Sequence, residues 1–187
     1  QASFSKPDGL GSGTHSMINV IVAGAAGRMG CRLVALIKDS TTLTLAGAIE
    51  GKGHPAVGDD AGETAGCGRT GVPITDDFAS LLDRGEVVVD FSAPEATLHH
   101  LRTVAQHRRA MVIGTTGFSA PQLEELKSLA CQVPCVLSPN MSVGVNLIYK
   151  VISEMVKTLG DEYDIEVIEA HHRLKKDAPS GTALKIA

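Results

Sequence analysis

Proton-donating side chains cluster in the segment EAHHRLKKDAPSGT, residues 169–182. Two histidines, one arginine and two lysines fall within six residues there, from His171 to Lys176. Histidine titrates near neutral pH and lysine can donate a proton, so both can act as general acids. The cationic charge and the N–H groups near Gly181 and Thr182 suit a substrate that carries carboxylates. A solvated basic loop is the alternative interpretation.

The histidines do not predict a metal site. Adjacent His171 and His172 would point to opposite faces of a strand, and no cysteine or carboxylate stands at ligand spacing. The sequence places His99, His100 and His107 in a helix or at its end, and we interpret all three as surface residues.

A glycine-rich turn, GAAGRMG from Gly24 to Gly30, follows the first predicted strand and opens the first predicted helix. Backbone N–H groups in such a turn, together with a helix N-terminus, can bind a pyrophosphate. Ala26 occupies the middle glycine position of the commoner fingerprint, and an ordinary turn is the alternative. Glu50, at the end of the second strand, can accept hydrogen bonds from ribose hydroxyls and should repel a 2′-phosphate. NADH is therefore favoured, although Lys52 nearby could offset part of that repulsion.

Two further loops follow predicted strands. Gly114-Thr115-Thr116-Gly117 follows AMVI, and Ser138-Pro139-Asn140-Met141 follows CVL. Ligands of open α/β sheets lie along the carboxyl ends of the strands, where both loops would project small donors toward a nicotinamide and its ribose. Each loop taken alone is as readily an ordinary turn.

Strands and helices alternate from Met17 onward, which predicts a Rossmann-like, doubly wound α/β fold with a parallel sheet. The predicted strands are 17–23, 43–50, 72–74, 86–92, 110–114 and 134–137. Helices are predicted after residue 24, over about 76–82, after capping boxes at Ser92 and Ser119, and over 144–159. In the first helix we expect Met29, Leu33, Leu36 and Ile37 to form the buried face. Residues 51–71 are rich in glycine and poor in apolar residues, which predicts a long exposed loop.

The domain organisation is predicted in three parts. Residues 1–16 are interpreted as a tag or disordered extension before a start at Met17. Residues 17–140 form a dinucleotide-binding domain. Residues 141–187 begin an α+β substrate-binding and oligomerisation domain, because 163–170 alternates with period two and predicts a strand with one solvated face.

Composition excludes several classes of function. The net charge is −4, and 2 Tyr, 4 Phe and 0 Trp leave too few aromatic faces for nucleic-acid stacking. No apolar run approaches the roughly 20 residues that span a bilayer. The cysteines Cys31, Cys67, Cys131 and Cys135 form no CxxC pair, so we expect reduced, structural thiols in a cytoplasmic protein, with Cys31 and Cys131 in helix cores.

Four motifs in this order, VAGAAGRMG, VIGTTGF, SPNMSVGVN and EAHHRLKKDAPSGTAL, closely resemble the dihydrodipicolinate reductase family of lysine and diaminopimelate biosynthesis. The resemblance covers residues 17–187. It implies an NAD(P)H-dependent oxidoreductase that reduces 4-hydroxy-tetrahydrodipicolinate, a small dicarboxylate, to tetrahydrodipicolinate. It also implies a homotetramer for full-length members.

The resemblance further implies roles for individual residues. His171 and Lys175 match the proton donors, and His172, Lys175, Gly181 and Thr182 match the contacts to the substrate carboxylates. The residues that match the cofactor contacts are Gly24, Ala25, Ala26, Gly27, Arg28, Met29, Glu50, Gly114, Thr115, Thr116, Ser138, Pro139, Asn140 and Met141.

This sequence departs from the family in two ways. Gly51 follows Glu50 where members that use both cofactors often carry arginine, which again favours NADH over NADPH. Members also continue past SGTAL to complete a second sheet. Two alternatives therefore stand beside the reductase: another Rossmann reductase of amino-acid metabolism, and a nucleotide-binding module without turnover.

Overall fold

The fold is built on one parallel sheet, seen in a computed structural model that describes residues 16–173 and 178–187. Its strands are β1 (Ile18–Ala23), β2 (Leu43–Ile49), β3 (Ile74–Thr75), β4 (Val87–Asp90), β5 (Ala110–Ile113) and β6 (Cys135–Leu137). The order across the sheet is β3-β2-β1-β4-β5-β6, and every pair of neighbours is parallel. The chain reverses direction across the sheet between β1 and β4, as in Rossmann folds. The predicted fold class is confirmed.

Helices follow the strands along the chain. They are α1 (Arg28–Lys38), α2 (Ala61–Thr64), α3 (Pro94–His107), α4 (Ala120–Ala130), α5 (Val143–Leu159) and α6 (Gly181–Ile186). Single 3₁₀ turns cover Ala79–Leu81 and Gly160–Glu162. Among the described residues, no helix is both long enough and apolar enough to cross a bilayer.

Two apolar cores cover the two faces of the sheet. Because side chains alternate along a strand, Ile21 of β1 lies in one core and Val22 in the other. The first core also takes apolar side chains from α3 and α4, and the second takes them from α1 and α2. Helices therefore pack on both faces, as the predicted doubly wound architecture requires.

The buried face of α1 differs from the predicted one. Gly30, Val34 and Ile37 are buried, whereas Met29 and Leu36 are 46% and 51% exposed. The glycine at position 30 lets the helix lie close to the sheet, and this rotates the buried stripe toward it. The spacing of apolar residues could not predict that effect, because it depends on a glycine.

The predicted capping box at Ser92 is wrong. Helix α3 begins at Pro94 with Ala93 as its N-cap, and the Ser92 hydroxyl donates to the Asp90 carboxylate instead. The second predicted box is confirmed, because the Ser119 side chain accepts the Gln122 N–H and the Gln122 side-chain oxygen accepts the Ser119 N–H.

Residues 51–71 are less open than predicted. Asp60 caps α2 and accepts hydrogen bonds from the N–H groups of Gly62, Glu63, Thr70 and Gly71. The bond from the Thr70 N–H is the largest of several that hold the pKa of Asp60 well below its usual range, against burial, which raises it. A single carboxylate thus joins the first turn of α2 to the end of this loop at Thr70 and Gly71.

The chain after residue 140 differs more from the predictions. Helix α5 forms as predicted and ends in a 3₁₀ turn from Gly160, but none of its residues is buried. The strand predicted over 163–170 is wrong, since these residues are exposed and carry no ladder. A strand needs a neighbour for its N–H and C=O groups, and the described residues supply none there. The predicted domain change near Asn140 stays a prediction.

The described cysteines are all free thiols. Cys31 is half-buried and its thiol lies 3.6 Å from the Ala25 carbonyl oxygen. Cys131 is exposed at the C-terminal end of α4, so its predicted place in a core is wrong.

Candidate active site

The glycine-rich turn connects β1 to α1 and leaves a helix N-terminus open. The N–H groups of Gly24 and Ala25 are already bonded to the Ile49 carbonyl oxygen, and the Ala25 side chain is fully buried. Gly27 is the N-cap of α1, and among the described residues no side chain caps this helix. Arg28 and Met29 begin the helix and are exposed. The N–H groups of a first helical turn have no partner within the helix, so this end can hold an anion.

Close packing of α1 on the turn depends on Gly30. A Cβ atom built there would lie 2.0 Å from the Gly24 carbonyl oxygen and 2.7 Å from the Ala25 Cα. Only a residue without a side chain fits at this separation. The last glycine of the motif therefore sets the distance between the helix N-terminus and the strand.

Glu50 lies directly after β2 and faces the turn. Its Oε1 accepts the N–H of Ala26 at 2.8 Å, and its Oε2 accepts the N–H of Gly51 at 3.3 Å. A carboxylate has about four acceptor positions, so two remain for hydroxyl groups of a ligand. The Ala26 N–H, which the sequence assigned to a pyrophosphate, is engaged by Glu50 here.

A cleft of about 410 Å³ lies between the turn and the carboxyl end of β4. Glycine-turn residues, with Glu50 and His54, line one wall, and Phe91, Ser92 and Ala93 line the opposite wall. An open helix N-terminus and a carboxylate with free acceptor positions therefore share one concave site. They fit a ligand with a phosphate and a ribose diol, and so the residues present fit a dinucleotide.

A buried Asp–His pair lies at the end of β4, beside this cleft. Asp90 is fully buried, and its Oδ2 lies 2.7 Å from Nδ1 of His100, which is 8% exposed and lines the cleft. Burial raises the pKa of Asp90, but the bonds to His100 and Ser92 outweigh it and hold that pKa below its usual value. Asp90 is therefore ionised, and Nδ1 of His100 is the donor. The prediction that His100 is a surface residue is wrong, whereas His99 and His107 are exposed as predicted.

The loop after β5 turns one of its threonines inward. The Thr115 side chain is 5% exposed, and its hydroxyl accepts from Thr97 at 2.8 Å and lies 3.5 Å from Oδ1 of Asp90. A Cβ on Gly114 would lie 2.0 Å from the Phe91 ring, so only glycine fits beneath it. Thr116 is exposed at the carboxyl edge of the sheet. This loop offers a ligand its backbone and Thr116, and not the Thr115 hydroxyl.

The loop after β6 lies beside the first turn of α6. The Ser138 N–H donates to the Ile113 carbonyl oxygen at 3.1 Å, so this loop starts at the same edge of the sheet as Gly114. The Asn140 side-chain amide donates to the Thr182 hydroxyl at 3.4 Å, and Pro139 lies within van der Waals distance of a Cβ built on Gly181. Met141 follows and is 39% exposed.

His171 is held near the same turn by a residue that the sequence analysis did not single out. Glu169 Oε2 lies 3.4 Å from Nδ1 of His171, and Glu169 Oε1 accepts the N–H of Ser180 at 2.8 Å. The His171 side chain is 42% exposed, which leaves it open to a ligand. His172 is exposed, and Lys175 lies outside the described residues.

The structure therefore gathers the predicted residues into two groups. In the first group, the glycine turn and Glu50 share the cleft. In the second group, the 138–141 loop contacts Gly181 and Thr182, and Glu169 links His171 to the same turn through Ser180. Sequence reasoning missed Asp90, His100 and Glu169. The signal for His100 was available, because Thr97, Leu101 and Val104 mark the buried face of α3 and His100 falls on it. Among the described residues, no cluster of three or more His, Cys, Asp or Glu could hold a metal ion.

Comparison with known families gives two adjoining matches. The model described as dihydrodipicolinate reductase, N-terminus, matches residues 18–141. The model described as dihydrodipicolinate reductase, C-terminus, matches residues 144–187.

Individual relatives give the same result. Proteins named 4-hydroxy-tetrahydrodipicolinate reductase from Syntrophus aciditrophicus and Syntrophobacter fumaroxidans are 48% and 52% identical over 171 residues. These alignments cover 91% of this chain and 64% of each relative, so the chain spans about two thirds of their length. The solved structure of dipicolinate-bound dihydrodipicolinate reductase from Paenisporosarcina sp. TG-14 matches with a TM-score of 0.67 and 32% identity, over 91% of this chain and 64% of that one.

Proposed function

The chain belongs to the dihydrodipicolinate reductase family, and we propose that it carries the cofactor site and the proton-donor segment of a 4-hydroxy-tetrahydrodipicolinate reductase. The reaction is the NAD(P)H-dependent reduction of 4-hydroxy-tetrahydrodipicolinate to tetrahydrodipicolinate, a step toward diaminopimelate and lysine. It consumes one hydride and one proton and releases the 4-hydroxyl group as water. A homotetramer and a cytoplasmic location belong to the same proposal, because both follow from the family.

The cofactor half of the proposal rests on the cleft. The open N-terminus of α1 receives the pyrophosphate through the N–H groups of its first turn, from Arg28 and Met29 onward. Glu50 accepts the adenosine ribose hydroxyls while Ala26 keeps its carboxylate in place. The 114–116 and 138–141 loops meet the nicotinamide half. The reduced nicotinamide, when bound, supplies the hydride.

We propose NADH as the favoured cofactor. In this proposal Glu50 accepts from the adenosine ribose hydroxyls, so its charge would repel a 2′-phosphate of NADPH, and Gly51 beside it has no side chain with which to offset that charge. Lys52 is exposed two residues on, so NADPH is disfavoured and not rejected. Glu50→Gln removes the charge and keeps the hydrogen-bonding shape. We expect this variant to bind NADH more weakly than the wild type does. The dissociation constant of NADPH divided by that of NADH should fall.

The substrate half rests on the junction between the 138–141 loop and α6, which is the single observation that carries the proposal. Asn140 contacts Thr182 and Pro139 contacts Gly181, so the loop proposed to meet the nicotinamide lies against the turn proposed to bind the substrate carboxylates. His171 is linked to the same turn through Glu169, and it is the first proton donor in this proposal. His172, Lys175, Gly181 and Thr182 contact the substrate carboxylates in this proposal, and Lys175 is the second proton donor.

The proposal is tested by calorimetric titration of NADH and of NADPH into the chain, with and without pyridine-2,6-dicarboxylate, a planar and unreactive diacid. Tighter cofactor binding in the presence of the diacid is the expected result, because the two half-sites then interact. Cofactor binding that the diacid leaves unchanged would support a nucleotide-binding module without turnover. Absence of cofactor binding would refute the assignment of the glycine turn.

Turnover is tested with the variant His171→Gln and the matched control His107→Gln, since His107 is an exposed histidine outside the site. We expect His171→Gln to lower turnover by about 10²-fold or more, the contribution typical of a general acid, with little change in cofactor affinity. The control should match the wild type. Unchanged turnover in His171→Gln would remove this residue from the mechanism, and activity on aspartate semialdehyde would favour another Rossmann reductase.

A further inference from the structure

A continuous network of buried polar side chains runs from α3 to the loop after β5 and reaches the cleft wall that lies opposite the glycine turn. Its centre is Asp90. One carboxylate oxygen accepts from Nδ1 of His100 at 2.7 Å, and the other accepts from the Ser92 N–H at 2.8 Å and from the Ser92 hydroxyl. Four of its five members, Asp90, Thr97, His100 and Thr115, are less than 9% exposed.

One branch of the network reaches the cleft. Ser92 lines the wall opposite the glycine turn, and the two bonds from Ser92 to Asp90 fix both its backbone and its hydroxyl. His100 lines the same cleft, and its ring packs against Phe78 with centroids 4.5 Å apart. The orientation of the Asp90 carboxylate therefore fixes the positions of Ser92 and His100 in this wall.

The other branch reaches the proposed nicotinamide-side loop. Thr97 donates to the Thr115 hydroxyl at 2.8 Å, and Ser92 lies 3.4 Å from Thr97, which closes the network into a ring around Asp90. The same loop is held from outside by the Phe91 ring over Gly114. Residues of α3, β4 and the loop after β5 are thus connected through one carboxylate.

We propose that Asp90 and His100 are positioning residues of the cofactor site, which hold the cleft wall and the 114–116 loop at a fixed separation. The proposal rests on the proposed function, because it takes the ligand to be a dinucleotide. Apolar side chains could fill this space, but they would not fix direction. Hydrogen bonds with defined geometry do fix it, and a buried carboxylate is retained only where its bonds are satisfied.

The first test compares two substitutions of one residue. In His100→Asn the side-chain amide nitrogen stands where Nδ1 stood and can still donate to Asp90. His100→Leu fills a similar volume beside Phe78 but cannot donate. We expect the Leu variant to bind NADH about tenfold more weakly by calorimetry and the Asn variant to stay within about threefold of the wild type, since one charge-assisted hydrogen bond separates them. Equal affinity in the two variants would overturn the proposal.

The second test separates positioning from stability and remains decisive if His100→Leu does not fold. Thr97→Val keeps the shape of the side chain and removes its hydroxyl, which donates to Thr115 at 2.8 Å and lies 3.4 Å from the Ser92 hydroxyl. Thr97 itself does not line the cleft. We expect NADH affinity to fall about fivefold while ADP affinity is unchanged, because ADP lacks the half of the ligand that meets the 114–116 loop. A Thr97→Val chain that unfolds more easily but binds NADH and ADP like the wild type would show a structural role only. A wild type that binds neither ligand would refute the proposed function, and this inference with it.

Discussion

Replacement of Gly30 by alanine is the sharpest test of how the glycine turn is built. The Cβ of alanine would lie 2.0 Å from the Gly24 carbonyl oxygen, whereas real Cβ atoms essentially never come within 3.0 Å of another heavy atom. The atoms on the other side are backbone atoms of Gly24 and Ala25, which cannot rotate away. The N-terminal turn of α1 therefore has to move by about 1 Å.

The magnitude follows from two opposing contributions. Alanine is the better helix former by about 0.8–1 kcal/mol, and this favours the variant. Overpacking against fixed neighbours costs about 1–3 kcal/mol, with the upper end expected where backbone has to shift. We expect Gly30→Ala to lower the free energy of unfolding by about 2 kcal/mol, a large share of the ~5–15 kcal/mol typical of a domain. The displaced helix N-terminus should weaken NADH binding as well.

The assay is urea denaturation followed by circular dichroism, with Gly144→Ala as the matched control. Gly144 lies in the first turn of α5, where an added Cβ meets only the Ser142 hydroxyl oxygen at 3.8 Å. There alanine should leave stability unchanged or raise it by up to ~1 kcal/mol. If Gly30→Ala is as stable as its control and binds NADH like the wild type, the close approach of α1 to the turn is not a feature of the protein.

Three further substitutions test the described hydrogen bonds and ion pairs. Asp60→Asn should lower stability at neutral pH, because the folded-state pKa of Asp60 is depressed and the ionised carboxylate stabilises the fold above the unfolded pKa of about 3.9. The stability advantage of the wild type should shrink as the pH falls below that value. Denaturation curves collected from pH 7 to pH 3 measure this difference. Ser142→Ala removes the N-cap bond to the Val145 N–H and should cost about 1 kcal/mol in the same assay, with Ser142→Asp restoring most of it. Arg102→Ala breaks an ion pair to Glu125 in which both side chains are at least 40% exposed, and a change larger than about 1 kcal/mol would contradict the expectation for a surface pair.

The strands of the sheet could be predicted from sequence because each is short, apolar and flanked by turn residues. β1 needs apolar side chains on both faces, and Val20 to Ala23 supply them without interruption. The glycine turn was equally readable, since a strand, a tight turn and a helix follow one another locally. Such features depend on neighbouring residues, and a local pattern is sufficient to find them.

The features that could not be predicted depend on residues distant in sequence. Ser92 has the spacing of a helix cap, but its hydroxyl is engaged by Asp90, whose charge is held in turn by His100 on α3. No local rule compares these competing partners. Glu169 shows the same limit, because its significance depends on Ser180, eleven residues away. In the 163–170 segment polar and apolar residues alternate as in a strand. This pattern indicates which side chains would share a face, but a strand also needs a neighbouring strand to pair with.

The central position of β1 and β4 has a consequence for how the molecule opens. Residues 18–75 form the triplet β3-β2-β1 and residues 87–137 form the triplet β4-β5-β6, and the two triplets meet along the ladder from Val20–Val87 to Ala23–Asp90. Paired residues within each triplet lie 23 to 26 positions apart, whereas this ladder joins residues 67 positions apart and costs more chain entropy to close. The cleft lies over that seam, with Gly24 on one side and Ser92 on the other. A ligand that contacts both sides should therefore slow hydrogen exchange most at the amides of the β1–β4 ladder, and much less at β3 and β6.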